Sequence, residues 1–411
     1  MTALATTRAS RLLPAEPVLS YRRHIDAHGA PPDCDSDREL LLAELDESNL
    51  TGRGGGGFPT ARKLRAVAAG RKPIVVANGT EGEPASAKDK LLLARNPHLV
   101  IDGVVAAAQL IGARAAVIAV GRESKAALYS LRTALADRDE SVGVDVAEVP
   151  DRFVAGEESA LVAWLNGGEA KPTLTPPRPS EAGVRGRPTL VQNVETLANL
   201  ALVVRHGAHD FLEHETVLAT VRGAVRSPGV VEVEADASLG AIVESCGGVS
   251  TQPRALLVGG YFGTWVSAAG TAGVPLTRDG LAPFGAAPGA RTIVVLPSTA
   301  CGVSATAQIV RYLADESAGQ CGPCVFGLPA VADCLETIAA CRPDAAAALD
   351  RLPRLDAQIA RRGACRHPDG VLRLVASTVQ VFEDEIALHV RGRCSCGDRM
   401  QLPFVTSTDW R

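Results

Sequence analysis

The sequence predicts an α/β protein with a parallel sheet covered by helices on both faces, followed by a small α+β module and a helical bundle. Strand and helix patterns alternate between residues 72 and 149, which is typical of a parallel sheet. Short strand-like runs surround a single helical pattern between residues 217 and 259. Beyond residue 306 the apolar residues recur mostly with helical periodicity, which favours a bundle.

The individual elements follow in chain order. Residues 1–37 are rich in Pro, Arg and Ala and predict a loosely ordered arm, and residues 37–49 predict a short amphipathic helix. The first unit has predicted strands at 72–78, 115–120 and 142–149, and helices at 88–95, 99–111 and 124–136. The second has strands at 217–221, 230–234 and 255–259, with a helix at 238–246. The last has helices at 306–316, 325–340, 345–362 and 371–390.

Composition narrows the class of protein. With 46% hydrophobic residues among 411, the chain can bury substantial cores. A net charge of -4 and a pI near 6.1 give no indication of a nucleic-acid partner. No apolar run of membrane-spanning length and no secretion signal is visible, so we expect a cytoplasmic protein that reaches a membrane only through partner subunits. The cysteines concentrate after residue 300, which suggests metal or redox chemistry in a reducing compartment.

A glycine-rich stretch precedes the first predicted strand. Residues Gly52–Lys63 read Gly-Arg-Gly-Gly-Gly-Gly-Phe-Pro-Thr-Ala-Arg-Lys. Such a run is unsuited to a helix or strand interior, but its backbone N–H groups can converge on an anion such as a phosphate. It matches neither G-x-G-x-x-G nor a Walker loop. A flexible hinge is the alternative explanation of the glycines.

Three further polar segments carry carboxylates and amides at element ends. They are Asn78-Gly-Thr-Glu81-Gly-Glu83, Gly156-Glu157-Glu158, and Gln192-Asn193-Val-Glu-Thr196, the last opening a predicted helix. Without a neighbouring histidine, binding of ribose or ribityl hydroxyls is favoured over acid–base catalysis. Each glutamate taken alone also fits a solvated acidic turn.

The cysteine pattern indicates a metal or redox centre. Cys321 and Cys324 form a C-x-x-C pair between predicted helices, and Cys365 follows about forty residues later. That spacing suits an iron–sulfur cluster, zinc or a redox disulfide. Cys394 and Cys396 lie in a polar segment with no apolar pattern to explain them. A zinc module of Cys321, Cys324, Cys394 and Cys396 is the least favoured of the functions considered.

Together, four of these segments resemble the NADH-oxidising flavoprotein subunit of respiratory complex I and its relatives in NAD-linked hydrogenases and formate dehydrogenases. The matching motifs are Gly52–Lys63, Asn78–Ala85, Gly156–Leu161 and Gln192–Leu197, in the family's order and spacing. The resemblance spans residues from about 38 to about 380.

The resemblance implies a domain plan. Residues 38–210 would form a Rossmann-like domain that binds FMN and NAD, and residues 211–290 an SLBB-type β-grasp domain. Residues 300–393 would form a helical domain with a 4Fe-4S cluster, and residues 394–411 a C-terminal tail. It also implies an NAD(P)H dehydrogenase that passes hydride to FMN and then single electrons to a cluster or to a ferredoxin-like partner.

The resemblance also implies roles for individual residues. Glu83 and Glu158 would line the nicotinamide side and Phe58 would stack on adenine. The remaining cofactor-binding residues would hold FMN: Gly52, Arg53, Gly54, Gly55, Lys63, Asn78, Glu81, Gly156, Glu157, Gln192, Asn193 and Thr196. Cys321, Cys324 and Cys365 would bind the cluster.

Several positions depart from the family pattern. Ala318 stands where the first cluster cysteine is expected, so the fourth ligand would come from Cys301, Cys394, Cys396 or solvent, or the cluster would be smaller or absent. Arg178 replaces an aromatic residue near the nucleotide, and its guanidinium would suit a 2′-phosphate and favour NADPH. These departures leave a second function open, in which the chain is a flavin-binding electron relay or scaffold that no longer oxidises NADH.

Overall fold

The computed structural model describes residues 10–405, 407 and 409–411, and its first part is built on a four-stranded parallel sheet. The strand order is β3-β2-β1-β4, with β1 Ile74–Gly79, β2 Ala115–Gly121, β3 Gly143–Val149 and β4 Thr189–Asn193. Alternate β1 residues enter different cores: Val75 and Ala77 one, Ile74 and Val76 another. Both faces are therefore covered, which confirms the predicted parallel sheet.

Helices flank this sheet on both faces. They are α1 Tyr21–His28, α2 Arg38–Glu47, α3 Thr60–Ala68, α4 Lys88–Arg95, α5 Pro97–Ile111, α6 Lys125–Ala136, α7 Glu158–Leu165 and α8 Val194–Glu213. Helix α5 begins with Pro97 and is followed by Gly112 in the left-handed conformation, as expected at such ends. A Cβ on Gly103 would lie 1.9 Å from the Leu197 carbonyl oxygen, so glycine permits the close packing of α5 against α8.

The N-terminal arm contains helix α1 and buried side chains within residues 10–37, while residues 1–9 lie outside the described part, and the loose order of the arm stays a prediction. Its helix α1 buries His24, whose Nε2 lies 2.5 Å from the Asp102 carboxylate on α5. Arg138 and Arg205 donate to the same carboxylate. Polar pairing of this kind leaves no apolar periodicity in the sequence, which explains why the pattern missed it.

A five-stranded mixed sheet forms the second part. Its order is β6-β5-β9-β7-β8, with β5 Thr216–Gly223, β6 Gly229–Glu234, β7 Pro253–Val258, β8 Thr264–Ser267 and β9 Thr292–Pro297. The central pair β5–β9 is parallel and the other pairs are antiparallel. Helix α9 Leu239–Ser245 packs on one face, and the short α10 Arg278–Leu281 precedes β9. Strands β8 and β9 were absent from the prediction.

The third part is helical, as predicted. Its helices are α11 Gly302–Asp315, α12 Leu328–Ala339, α13 Ala345–Ile359, α14 His367–Val381 and α15 Glu383–Val390. The predicted helix over 371–390 is two helices, because the chain leaves helical geometry at Phe382. The Phe382 ring is buried and meets Trp265 of β8 edge-on at 5.4 Å between centroids.

The described residues of the C-terminal segment, 392–405, 407 and 409–411, contact all three parts. Near its start, the Asp398 N–H donates to a backbone carbonyl just after β9. Further along, the Tyr261 hydroxyl donates to the Pro403 carbonyl, and the Ala170 N–H donates to the Trp410 carbonyl. The sequence alone assigned this tail no role, whereas its described residues join the sheets to the bundle.

Within the described residues, no single helix has the length and apolarity needed to cross a membrane. The pair α4 and α5, bent by 98°, passes that test only when the two helices are taken together.

Candidate active site

A cavity of about 460 Å³ opens where the carboxyl edge of the parallel sheet meets the second sheet and helix α14. This volume falls in the usual range for small-molecule sites. Three of the polar motifs and the glycine loop contribute to its wall. Among the residues singled out from the sequence, those lining it are Gly54, Gly55, Asn78, Glu81, Glu83, Gly156, Glu157, Asn193 and Cys365.

Two asparagines tie the motifs together at the sheet edge. Asn78 and Asn193 are register partners at the ends of β1 and β4, so parallel pairing places them side by side. Asn78 Nδ2 donates to the Gly156 carbonyl at 2.8 Å. Asn193 caps helix α8 through its side-chain oxygen and donates through Nδ2 to Asp89 at 2.7 Å. Both side chains are therefore held rigidly.

The glycines form a shallow cradle along the cavity wall. A Cβ on Gly54 would lie 3.3 Å from Asn193 Cβ, and a Cβ on Gly156 would lie 2.5 Å from Thr80 Oγ1. Gly55 has a φ of 101°, which side-chain-bearing residues rarely adopt. Backbone therefore borders the cavity, and a flat or phosphorylated ligand can approach it closely. These residues fit a flavin nucleotide.

The carboxylates that line the cavity differ in their hydrogen-bond partners. Glu81 accepts hydrogen bonds from Ser86 Oγ at 2.6 Å and from the Asp89 and Lys90 N–H groups at 3.1 Å. Glu157 caps α7 by accepting from the Ser159 and Ala160 N–H groups. Both carboxylates thus stabilise helix starts while bordering the cavity.

Glu83 is held differently. It is half-buried and accepts from the Tyr261 N–H at 2.7 Å and the Ala85 N–H at 3.0 Å, which links the first part to the second sheet. Removal from water raises the pKa of Glu83 from 4.5 to about 7 despite these hydrogen bonds. Glu83 therefore exchanges its proton near neutral pH.

Sequence reasoning missed a buried ion cluster in which two members, Lys88 and Asp89, line the cavity. Lys88 Nζ lies 2.7 Å from both Asp89 and Glu195, with Lys88 and Glu195 almost wholly buried. Burial lowers the pKa of Lys88, but the charges of Asp89 and Glu195 outweigh it and keep the ammonium protonated. The sequence signals available were a Lys-Asp pair three residues after the motif Asn78–Ala85 and the glutamate within Gln192–Leu197.

Other predicted residues surround the cavity without lining it. Lys63 Nζ pairs with Glu158 at 2.6 Å and also donates to the Val191 carbonyl at 2.7 Å. Gln192 Nε2 donates to Thr60 Oγ1 at 3.1 Å. These contacts fix α3 and α7 against the end of β4.

In the glycine loop, some groups make contacts within the protein and one aromatic ring is exposed. The N–H of Arg53 donates to Thr196 Oγ1 at 2.8 Å, and its buried guanidinium pairs with Glu215. The Gly52 N–H donates to the Phe58 carbonyl, closing the loop. The Phe58 ring is 46% exposed, with the Arg62 guanidinium 5.7 Å from its centroid.

The opposite wall comes from residues that the sequence did not indicate. Phe262 meets Phe153 at 4.7 Å and His367 at 5.2 Å between ring centroids. Burial lowers the pKa of His367 to about 4, so the ring is neutral and its Nε2–H donates to the Leu313 carbonyl at 2.7 Å. This aromatic wall lies beside Cys365, which also lines the cavity.

Two separate cysteine groups occur in the helical part. In the first, burial raises the pKa of the Cys324 thiol to about 12, with smaller contributions from the neighbouring Cys321 and Cys365. In the second group, ligand atoms of Cys301, His389 and Cys394 all lie within 4.8 Å of one another. Within the described residues, Cys394 does not lie within such distances of Cys321 and Cys324. This argues against the zinc module of Cys321, Cys324, Cys394 and Cys396 considered from the sequence.

Comparisons with known proteins agree with this arrangement. Residues 45–202 match the family model of the Nuo51 FMN-binding domain, and residues 304–389 match that of the NADH-ubiquinone oxidoreductase-F iron-sulfur binding region. The structure is similar to the NAD+-reducing NiFe hydrogenase in its H2-reduced state. That match has a TM-score of 0.82 and 29% identity, covering 94% of this chain and 68% of that one. The fold and site thus define an FMN-binding, iron–sulfur flavoprotein.

Similar sequences identify the family. The F 2 subunit of NADH-quinone oxidoreductase from Rhizobium meliloti (strain 1021) is 31% identical over 377 residues, covering 86% of this chain and 89% of the relative. The F subunit of the same enzyme from Aquifex aeolicus (strain VF5) is 30% identical over 321 residues, covering 73% and 74% respectively. The chain belongs to the family of NADH-quinone oxidoreductase F subunits, which confirms the resemblance found in its motifs.

Proposed function

We propose that this chain is an NADH dehydrogenase subunit that binds FMN in the described cavity and passes electrons to an iron–sulfur cluster. One observation carries the proposal: the glycine loop, both asparagines and Cys365 border a single cavity. When bound, FMN accepts hydride from a nicotinamide nucleotide and releases electrons singly. A flavin in this cavity would therefore lie beside Cys365, the proposed ligand of the next electron carrier.

The chain's own residues have distinct proposed roles. The backbone of Gly54 and Gly55 would border the flavin nucleotide, while Asn78 and Asn193 would bind its polar groups from the sheet edge. Glu83, with a pKa near 7, would face the nicotinamide side. Glu158 has a supporting role in this proposal, because its carboxylate pairs with Lys63.

The same proposal assigns the remaining sequence-predicted residues. Glu81 and Glu157 would border the flavin while capping helices. A second set would position the glycine loop against α8 and β4: Gly52, Arg53, Lys63, Gln192 and Thr196, with Gly156 completing the cradle. Phe58 is exposed beside the loop, where an adenine ring could stack on it.

The cluster would be held by Cys321, Cys324 and Cys365; in support, each of the first and last influences a neighbouring thiol of the set, and Cys365 lies in the cavity wall with Phe262 and His367. Ala318 supplies no fourth thiolate, so a solvent molecule would complete the coordination. Cys301 and Cys394 belong to the other cysteine group, which argues against their serving as that ligand.

We further propose the domain plan as residues 38–210, 211–290 and 300–393, with residues 394–411 as a tail. The first break falls within helix α8, before the second sheet begins, and β9, which pairs with β5 and β7 of that sheet, lies between the second and third ranges. In support of an SLBB-type β-grasp, the second sheet has a parallel central pair flanked by hairpins, with α9 across it. A cytoplasmic location, peripheral to a membrane through partner subunits, and a ferredoxin-like electron acceptor are part of the same proposal.

NADH rather than NADPH is the proposed nucleotide. Arg178 is exposed and does not line the cavity, and its N–H donates to Glu181 at 2.9 Å. Within the part of the chain that the structure describes, no contact aims the Arg178 guanidinium at a bound 2′-phosphate.

The test is a visible spectrum of protein purified without oxygen, before and after addition of NADH or NADPH. We expect flavin bands and an iron–sulfur shoulder, both bleached by NADH. The Cys324→Ser variant should lose the shoulder and keep the flavin bands, and Cys334→Ser, a buried cysteine on α12, should keep both. Flavin reduced by dithionite but by neither nucleotide would contradict the proposal and favour the relay function.

A further inference from the structure

The second cysteine group lies at the junction of α11, α15 and the C-terminal segment. Cys301 caps α11, His389 lies in the last turn of α15, and Cys394 follows that helix. Cys301 and Cys394 fall outside residues 304–389, the matched iron–sulfur region. The group therefore needs an explanation other than the cluster at Cys321, Cys324 and Cys365.

We propose that Cys301, His389 and Cys394 bind a single zinc ion, with Cys396 as the fourth ligand. Cys301 Sγ and His389 Nε2 lie 3.7 Å apart. Ordinary Zn–S and Zn–N bond lengths in a tetrahedral site place such a pair about 3.6 Å apart. Because all three ligand atoms lie within 4.8 Å of one another, they can share one ion, whereas cluster cysteines bind different irons.

The histidine is oriented for coordination. His389 is fully buried, and its Nδ1–H donates to the Ile338 carbonyl at 3.1 Å. The proton on Nδ1 leaves Nε2 with a free lone pair directed at the two cysteines. A metal-binding histidine usually has such a partner on its other nitrogen, which fixes the ring and its tautomer.

The surroundings also suit bound thiolates. The Ser304 N–H at the start of α11 donates to Cys301 Sγ at 3.2 Å. The Cys301 thiol donates to a Glu385 oxygen at 2.7 Å, and binding of a metal ion by the sulfur would release this proton to solvent. Arg254 Nη1 lies 2.5 Å from the other Glu385 oxygen and 3.3 Å from Cys396 Sγ, and offsets negative charge at both.

The Cys396 Sγ lies outside the group of mutually close ligand atoms and would move toward it on metal binding, completing a Cys3His set, the composition of many closed structural zinc sites. Its Sγ lies 3.8 Å from Glu385, whose other oxygen contacts Cys301. The ion would fasten the C-terminal segment to α11 and α15, beside strand β7. Described residues further along that segment contact the second and first parts, so the site would anchor the segment at its start.

The experiment measures zinc, iron and FMN per chain in full-length protein purified without oxygen and dialysed against a competing chelator. We expect one zinc per chain in the wild type, and at least a tenfold lower zinc content in Cys394→Ser and Cys396→Ser. Cys321→Ser and Cys324→Ser should lose iron and keep zinc. Because Cys394 is exposed, its substitution is not expected to unfold the chain.

Two controls separate ligand loss from misfolding. Cys341→Ser, a nearby cysteine outside the proposed set, should keep zinc, and flavin content should be unchanged in the Cys394→Ser variant. Replacing zinc by cobalt should give the visible absorption of a tetrahedral thiolate site in the wild type and not in Cys394→Ser. Wild-type protein without zinc, or zinc retained by Cys394→Ser or Cys396→Ser, would overturn the proposal. NADH reduction of the flavin tests the proposed function separately.

Discussion

Neighbouring glycines of one loop differ in what a side chain would meet. A Cβ on Gly54 would lie 3.3 Å from Asn193 Cβ at the cavity wall, whereas a Cβ on Gly56 would have no described heavy atom within 4 Å. Neither residue has a positive φ, so alanine suits both backbones. Substitutions at the two positions therefore distinguish an effect on the cavity from an effect on the loop backbone.

For Gly54→Ala we expect the FMN dissociation constant to rise tenfold to hundredfold, since overpacking of this kind costs about 1–3 kcal/mol. Gly56→Ala should bind FMN like the wild type. Fluorescence titration of FMN into the flavin-free protein measures both. Equal affinities in the two variants would show that the loop does not border the cofactor.

Glu83 makes stability depend on pH. Its pKa is about 7 in the folded chain against an ordinary 4.5, so between these values the folded state binds the proton that the unfolded state has lost. Its contribution to stability is therefore present at low pH and is lost as the pH rises to about 7. Since the carboxyl is half-buried, we expect about 1 kcal/mol per pH unit, below the ~1.4 limit for a full proton difference.

Glu83→Gln removes this titration. The difference in free energy of unfolding between variant and wild type should shift in favour of the variant from pH 5 to pH 7 and then level off. Urea unfolding at several pH values, without added nucleotide, measures it. Parallel curves across that range would refute the assignment of a raised pKa to Glu83.

At the scale of elements, the sequence predicted those whose own pattern determines them. Strand β1 and helix α5 have continuous apolar runs, and parallel pairing then brings Asn78 and Asn193 to one edge. The break at Phe382 was missed because the apolar period continues through it. A buried aromatic residue at position 382 is expected both in one straight helix and at a bend between two helices. Apolar periodicity alone therefore does not distinguish the two structures.

The far wall of the cavity could not be predicted for a related reason. Phe262, His367 and Cys365 reach the site only when the second sheet and α14 dock against the first part. Such docking depends on contacts between residues far apart in the chain, which local periodicity does not encode. The contribution of the polar motifs to the site could be predicted because a glycine run and paired glutamates are unusual patterns that lie within short segments of the sequence.

At the scale of the whole molecule, Arg152 joins three parts through one buried side chain. Its guanidinium pairs with Glu316 at the end of α11 at 3.1 Å and donates to the Asp315 and Ser407 carbonyls. It also lies 4.1 Å from the Trp410 ring centroid. The flavin-binding part, the bundle and the C-terminal segment are therefore coupled through a residue that lies outside the cofactor motifs.

Replacing Arg152 by methionine should separate the unfolding of these parts. Glu316 would keep a buried charge without its partner, which typically costs about 3–5 kcal/mol. During urea unfolding, flavin release and loss of helical circular dichroism should coincide in the wild type and separate in Arg152→Met. Adding Glu316→Gln should restore part of the lost stability, since it removes the unpaired charge, and Arg71→Met, at an exposed arginine, should behave like the wild type. Coincident transitions in Arg152→Met would instead mean that the apolar contacts between the parts are sufficient to make them unfold together.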